Sequence, residues 1–185
     1  MIISEDLQLA IDYLAQDEII AYPTEGVYGL GCTAFNEETV LRLLQLKNRD
    51  VRKGLILIAS HWNQIEDLIE PLSNLQHQTV NRTWPGPITW VFPASRKAPE
   101  WIRGEHNTIA IRFSNHPLAQ ALCEGFQKPI VSTSANLTGS TPARNYKEVA
   151  IYFNDKIPFI LKGEVGGLNK TTSIRDVITG LVIRE

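Results

Sequence analysis

Apolar positions along the chain follow two periods, one typical of helices and the other of strands. Leu7, Ala10, Ile11 and Leu14 recur at helical spacing behind Ser4, whose hydroxyl can cap a helix. A second helix is predicted behind Asn36 and runs into a basic stretch at 47–53. Further helices are predicted at 63–69, 72–84, 118–126 and 146–153.

Short apolar or alternating runs predict the strands. They lie at 18–22, 55–59, 88–92, 108–113, 129–133, 159–161, 173–177 and 181–184. Residues 93–107 hold prolines and mixed charge and are predicted to form a long surface loop. The alternation of helices and strands predicts one α/β domain over residues 1–185, with a twisted, mostly mixed β-sheet flanked by helices.

The stretch 21–33, AYPTEGVYGLGCT, leaves a predicted strand, breaks at Pro23 and then carries three glycines. Glycine lets a backbone approach a ligand that a Cβ would exclude. Open α/β sheets place ligands beyond the carboxyl ends of strands, so the stretch is a candidate binding loop. A tight turn whose glycines serve packing explains the stretch equally well.

Composition narrows the class of protein. The 185 residues are 43% hydrophobic and 21% charged, with a formal net charge of −2, so a role with nucleic acid or phosphate needs a local basic cluster. Cys32 and Cys123 follow no metal spacing and suit a reducing compartment. The N-terminus lacks the features of a secretory signal, and no apolar run reaches the length of a membrane span. We expect a cytoplasmic protein without membrane contact.

The densest basic cluster comprises Arg42, Lys47, Arg49, Arg52 and Lys53, with Asp50 as the one nearby acid. Cations are favoured in the last turn of a helix and usually face solvent, which is one interpretation. The other is a polyphosphate cradle, since arginine offers a planar fork and lysine a point charge. Lys47 and Arg49 reach one ligand only if the helix has ended before them.

Hydroxyls and an amide follow the predicted strand 129–133 in the segment 132–136, STSAN. Such groups can bind phosphate, a sugar or the water shell of Mg²⁺. A helix cap or Ser/Thr turn is the alternative. Arg112, inside the predicted strand 108–113, lies on a solvent face or meets a partner, and its fork fits a carboxylate.

Several known motifs are absent from the sequence. There is no GxxxxGK[ST], no GxGxxG that opens a helix after a strand, and no GxSxG elbow. The four histidines form no HxH or HxxxH pair, so no protein metal site is predicted.

Six segments together resemble the YrdC-type domain, the threonylcarbamoyl-AMP synthase family. They are PTEGVYGLG (23–31), LKNR (46–49), KGLI (53–56), WPGPIT (84–89), AIR with HP (110–112, 116–117) and 129–139, which contains SANLTG. They occur in the family's order and span most of the chain. The chain is similar to the short bacterial form, without an extra C-terminal domain.

The resemblance implies a nucleotidyltransferase with a large concave basic cleft. The implied enzyme joins L-threonine, bicarbonate and ATP, with Mg²⁺, into threonylcarbamoyl-AMP and pyrophosphate. A downstream tRNA threonylcarbamoyl-transferase complex then modifies the adenosine next to the anticodon. Implied catalytic residues are Lys47, Arg49, Ser134 and Asn136. Implied ATP contacts are these four with Lys53, Thr108 and Arg144, and implied threonine contacts are Thr24, Gly26, Arg112, Ser132 and Ser173.

The chain departs from the family's pattern at Gly26, where threonine is common, and at Ile58, near a histidine of longer relatives. The segment 172–174 is also altered. Two other functions stay open at this point: a module that binds tRNA or double-stranded RNA without chemistry, and a carbamoyl-adenylate enzyme with another acceptor. The loop 137–145 is predicted to close over nucleotide.

Overall fold

The computed structural model describes residues 1–137, 139–168 and 172–185. Within them ten strands form one sheet: β1 (Ile2–Ser4), β2 (Ile20–Pro23), β3 (Tyr28–Gly31), β4 (Ile56–Ala59), β5 (Ile88–Pro93), β6 (Thr108–Phe113), β7 (Ile130–Ser134), β8 (Phe159–Leu161), β9 (Ser173–Asp176) and β10 (Val182–Arg184). The helices are α1 (Leu7–Ala15), α2 (Glu37–Leu46), α3 (Asn74–Asn81), α4 (Glu100–Arg103), α5 (Pro117–Phe126) and α6 (Tyr146–Phe153). Short 3₁₀ turns lie at Val51–Lys53, Trp62–Gln64, Glu66–Leu68 and Asn154–Lys156.

The strand order is β1-β8-β2-β3-β7-β4-β6-β5-β9-β10. β8 runs parallel to β1 and β2, and β4 runs parallel to β6, whereas β7 is antiparallel to both β3 and β4. The predicted α/β fold with a mixed sheet flanked by helices is therefore confirmed. β7 is the strand that joins the two halves of the sheet, and its carboxyl end leads into the segment that carries Asn136.

Helices cover both faces of the sheet because successive residues of a strand point to opposite sides. Ile20 and Tyr22 pack into an apolar cluster with α1 and α5, while Ala21 between them packs into a second cluster with α2 and α6. Tyr22 is fully buried, and so is Tyr28 on β3. This rigid sheet carries the loops that form the candidate site.

Some sequence predictions were wrong in detail. The stretch 21–33 is a hairpin of β2 and β3 rather than one loop, because Ala21 pairs with Leu30 and Pro23 with Tyr28. Gly31 is required by packing, since a Cβ there would lie 2.5 Å from the carbonyl oxygen of Val131. The loop proper is limited to residues 24–27.

Other corrections concern helices. Asp6 rather than Ser4 caps α1, by accepting a hydrogen bond from the Leu9 amide at 3.1 Å, and Ser4 ends β1. The predicted helix at 63–69 is replaced by two 3₁₀ turns, and the predicted loop 93–107 contains α4. Thr138 of the SANLTG motif and residues 169–170 of the glycine-rich turn lie outside the described residues.

None of the helices in the described parts of the chain has both the length and the apolar character needed to cross a bilayer.

Candidate active site

A cavity of about 400 Å³ opens where the 24–27 loop, the end of β7 and the C-terminal strands meet. Its lining contains Thr24, Gly26, Val27, Tyr28, Gly29, Arg49, Leu55, Ile56, Arg112, Ser132, Thr133, Ser134, Thr141, Pro142, Arg144, Leu168, Thr172 and Arg184. Of the predicted site residues, seven are in this lining: Thr24, Gly26, Arg49, Arg112, Ser132, Ser134 and Arg144. The cavity is thus where most of the predicted residues come together.

The end of α2 explains how Lys47 and Arg49 face the same region. Lys47 is the C-terminal cap of the helix, and Asn48 takes a positive φ of 49° that turns the chain. Arg49 then donates from Nη2 to the carbonyl oxygen of Gly54 at 2.8 Å and lines the cavity. α2 therefore ends before Lys47 and Arg49, which is the condition for both side chains to reach one ligand.

Lys47 reaches across to the segment after β7. Its Nζ donates to the carbonyl oxygens of Ser134 and Asn136, the latter at 2.9 Å, and approaches Asn136 Oδ1 at 3.3 Å. The residue is 4% exposed. Burial, with a smaller effect of the neighbouring Arg49 charge, lowers the pKa of Lys47 to about 8. The ammonium group therefore connects two segments that lie 87 residues apart.

Hydrogen bonds shape the loop that carries Ser134 and Asn136. The Ser134 hydroxyl donates to Asn136 Oδ1 at 2.6 Å, and Asn136 Nδ2 donates to the carbonyl oxygen of Ser140 at 2.7 Å. Ala143 donates from its amide to the carbonyl oxygen of Ala135 at 3.0 Å. The oxygen-rich face of the loop is thus held beside the Lys47 ammonium group.

Arg112 lines the same cavity, with its side chain 7% exposed. Its Nη1 donates to Thr172 Oγ1 at 3.0 Å, and its Nη2 lies 3.4 Å from Glu25 Oε2. Glu25 also accepts a hydrogen bond from the Ser114 hydroxyl at 2.8 Å. The sequence prediction that Arg112 either faces solvent or meets a partner is resolved in favour of a partner.

The hydroxyl groups of Thr24 and Ser132 also belong to the cavity lining. The Thr24 hydroxyl donates to the carbonyl oxygen of Val27 at 2.7 Å, which closes the loop. Ser132 is 8% exposed and lies beside the buried Tyr22 phenol, which donates to the carbonyl oxygen of Val131 at 3.5 Å and whose pKa is raised by burial. These contacts fix the shape of the cavity wall beside Gly26.

Five predicted site residues do not line the cavity. Lys47 and Asn136 lie directly behind it, in contact with Ser134. Lys53 is exposed on the 3₁₀ turn, while Thr108 opens β6 opposite Pro93 and Ser173 opens β9 opposite Ile88.

The structure adds a residue that the sequence did not indicate. Arg184 on β10 lines the cavity and donates from Nη2 to the carbonyl oxygen of Thr172 at 3.0 Å. Burial, and then the charges of Arg112 and Arg49, lower its pKa. The alternating strand pattern predicted β10, but no local signal shows that its end reaches the site.

The charge of the lining determines what the cavity can hold. Four of the described lining residues are arginines, and the lining includes no carboxylate. Burial lowers the pKa of Arg49, so an anion that pairs with it would relieve an energetic cost. The described residues contain no group of three or more His, Cys, Asp or Glu side chains that could hold a metal. The cavity is suited to an anionic ligand bearing several phosphate or carboxylate groups.

Comparisons with known sequences identify relatives over nearly the whole chain. The model of the Sua5/YciO/YrdC family, described as telomere recombination, matches residues 12–185. A threonylcarbamoyl-AMP synthase of Coxiella burnetii is 49% identical over 181 residues, which cover 98% of this chain and 97% of the relative. One of Yersinia pestis is 49% identical over 174 residues, with 93% and 91% covered.

Solved structures give the same picture. Sua5 of P. abyssi in complex with L-threonine superposes with a TM-score of 0.90 at 30% identity, covering 98% of this chain and 56% of Sua5. The chain thus spans about half the length of that protein. E. coli YciO shares the fold, with a TM-score of 0.84 at 23% identity over 99% of this chain and 93% of YciO.

Proposed function

The chain belongs to the Sua5/YciO/YrdC family, and we propose that it is a threonylcarbamoyl-AMP synthase. The reaction converts L-threonine, bicarbonate and ATP into threonylcarbamoyl-AMP and pyrophosphate. Relatives that carry this name match over almost the whole of both chains. The observation on which the proposal rests is the convergence of Arg49, the Lys47-bound Ser134 loop and Arg112 around one cavity.

The chemistry explains why such a cavity is needed. Bicarbonate supplies CO₂ to the threonine amine, and the proton lost by the amine leaves with the remaining bicarbonate oxygen as water, which gives a carbamate. A carbamate oxygen then attacks the α-phosphorus of ATP. A new O–P bond forms, the bond to the β-phosphate oxygen breaks, and pyrophosphate leaves with the electron pair. Since two anions must meet, positioning and cationic stabilisation contribute more than a strong base.

The end of the cavity near α2 is assigned to ATP. Arg49 would pair with the triphosphate and with the charge that develops on pyrophosphate, and Arg144 and Arg184 are within the same lining. Ser134 and Asn136 would contact phosphate oxygens, while Lys47 holds their backbone in place. Lys53 and Thr108 remain predicted ATP contacts from outside the lining.

Mg²⁺ would enter with ATP as part of the substrate and share the charge of its phosphates. The Ser134 hydroxyl and the Asn136 amide oxygen are hard oxygen donors that fit the ion's water shell.

The part of the cavity around Arg112 is assigned to threonine. Arg112 still has N–H groups beyond its contacts with Thr172 and Glu25, and these fit a carboxylate. Thr24, Gly26 and Ser132 would form the wall around the amino acid. Ser173 remains a predicted contact next to Thr172.

The product is a reactive mixed anhydride, so a second protein must consume it. We propose that a tRNA threonylcarbamoyl-transferase complex does so in the cytoplasm, where tRNA is modified.

A pyrophosphate-release assay with ATP, Mg²⁺ and bicarbonate, run with and without L-threonine, tests the proposal. We expect release that depends on both bicarbonate and threonine, with threonylcarbamoyl-AMP detected by mass spectrometry. Release that ignores threonine would point to another acceptor. Absence of any release, together with salt-sensitive tRNA binding, would point to an RNA-binding module instead.

A further inference from the structure

Glu25 is a buried carboxylate beside the candidate site that has no role in the reaction described above. It is 6% exposed and is absent from the cavity lining, although its neighbours Thr24 and Gly26 are both in it. A buried carboxylate is costly unless it is paired and hydrogen-bonded. Its contacts therefore indicate what it does.

One carboxylate oxygen of Glu25 accepts a hydrogen bond, and the other accepts none from the described residues. Oε1 accepts the Ser114 hydroxyl at 2.8 Å, whereas Oε2 lies 3.4 Å from Arg112 Nη2 and accepts no hydrogen bond from the described residues. A closed charge-assisted bond has a length of about 2.7–2.9 Å. The pair is thus aligned without being tightly bonded, and Arg112 keeps N–H groups for a ligand.

The backbone around Glu25 is also held firmly. Its carbonyl oxygen accepts the Leu168 amide at 2.9 Å, and the Thr24 carbonyl oxygen accepts the Gly166 amide at 3.0 Å. The amide of His116 donates to Ser114 Oγ at 3.2 Å, so the hydroxyl that fixes the carboxylate is itself anchored. Glu25 is therefore held firmly enough to keep a neighbouring side chain in one orientation.

Arg112 needs a fixed anion beside it to keep its orientation. Its guanidinium group is almost fully buried, and its charge lies close enough to Arg184 to lower the pKa of that residue. Without a fixed anion, repulsion from the other cations would turn the guanidinium away from the position in which it meets a carboxylate.

We infer that Glu25 is a positioning residue, which orients Arg112 so that its remaining N–H groups face the carboxylate of the amino-acid substrate. The inference rests on the proposed function, because it takes threonine as the ligand of Arg112. In this role Glu25 acts through Arg112 rather than on ATP or on the reacting atoms.

The test is Glu25→Gln, which keeps the shape and a bond to Ser114 but removes the charge. We expect KM for L-threonine to rise by about tenfold or more, the range of coupling between contacting residues, while KM for ATP changes less than about twofold. Glu70→Gln, at an exposed carboxylate outside the cavity lining, is the matched control and should leave both constants unchanged.

Two further measurements separate positioning from a purely structural role. Calorimetric titration of the protein without other substrates should show that Glu25→Gln weakens binding of L-threonine but not of L-threoninol, in which an alcohol replaces the carboxylate. In the Arg112→Gln background, Glu25→Gln should have little additional effect on threonine, because it acts through Arg112. A structural role would weaken both ligands and add to the Arg112 change.

Opposite outcomes overturn the inference. A lower KM for threonine in Glu25→Gln would show that Glu25 competes with the substrate for Arg112. An unchanged KM in a variant that melts at the wild-type temperature would show that the pair does not orient anything. Wild-type protein that releases no threonine-dependent pyrophosphate would instead reject the proposed function itself.

Discussion

At the scale of single residues, Lys47 illustrates how a charge can serve a site from behind it. Its ammonium group donates hydrogen bonds to three uncharged oxygens: the backbone carbonyl oxygens of Ser134 and Asn136, and the side-chain oxygen of Asn136. A buried cation with such partners holds the Ser134 loop in place but keeps a high free-energy cost. The same burial that orders the loop makes the charge easy to lose.

Removing either cation of the Lys-x-Arg pair tests its part in the reaction. Lys47→Ala and Arg49→Ala should each lower turnover by about 10²-fold or more, the scale of losing one transition-state donor. Arg49 is such a donor, and without Lys47 the Ser134 loop loses the ammonium group that holds it in place. Steady-state pyrophosphate release gives the rates, and circular dichroism shows whether the fold is kept.

Arg42→Ala is the control, since Arg42 lies on α2 just before these cations but pairs with Glu18 at 2.9 Å on the surface. Its turnover should match that of the wild type. Wild-type rates in both Lys47→Ala and Arg49→Ala would remove these residues from the mechanism.

The lowered pKa of Lys47, about 8, predicts a pH dependence of nucleotide binding. An ordinary lysine ionises near 10.4, so the folded protein loses this proton before the unfolded chain does. Between these values the unfolded chain binds more protons, and this group's contribution to stability rises with pH. Over the same range the ammonium contacts with the Ser134 loop weaken.

Affinity for a non-hydrolysable ATP analogue should therefore fall above about pH 8, by roughly tenfold at about pH 9. Lys47→Arg keeps its charge over this range and should not show the fall. An affinity that stays constant in the wild type would mean that the Lys47 charge does not support the nucleotide site.

Whether the sequence alone can place a single residue in the site depends on the backbone around that residue. Arg49 follows a helix end, which a basic run after an amphipathic pattern can indicate. Thr108 shares a strand face with Arg112 but lies roughly 13 Å away along β6, beyond the cavity lining. Arg184 was missed because its place depends on how β10 pairs with β9, which is a tertiary property.

At the scale of elements, the strongly amphipathic helix α2 was predicted correctly, whereas the glycine-containing strand β3 was missed. The amphipathic pattern behind Asn36 gave α2 and its cap, and Asn36 Oδ1 accepts the Thr39 amide at 3.1 Å. β3 was missed because the sequence YGLG has two glycines where strands usually have branched residues. Gly31 is explained by close packing against β7 and Tyr22, which only the assembled sheet reveals.

The loop 137–145 is expected to close over nucleotide, and trypsin can test this at Arg144. Arg144 is exposed and also lines the cavity, so a bound nucleotide should protect it. We expect ATP to slow cleavage after Arg144 several-fold, followed by mass spectrometry, while cleavage after the exposed Lys156 continues at the same rate. Equal cleavage at Arg144 with and without ATP would argue against closure.

At the scale of the whole molecule, net charge says little about the ligand. The chain carries −2 overall, yet the described lining of the cavity collects four arginines and no acid. Composition excluded a polycation, and the alternating pattern predicted the α/β class. The strand order was not predicted, because β8 returns to pair with β1 and β2 while β9 and β10 extend the far end of the sheet.

The position of β7 as the seam of the sheet links nucleotide binding to cooperative folding. The cations after α2 and the polar groups at the end of β7 become neighbours only when both halves of the sheet have joined along this strand. A partly folded chain would hold the two sets of groups apart and gain nothing from the ligand. Saturating nucleotide would therefore stabilise the complete fold alone, by roughly 2.7 kcal/mol at a hundred times Kd, and would sharpen unfolding into a single transition.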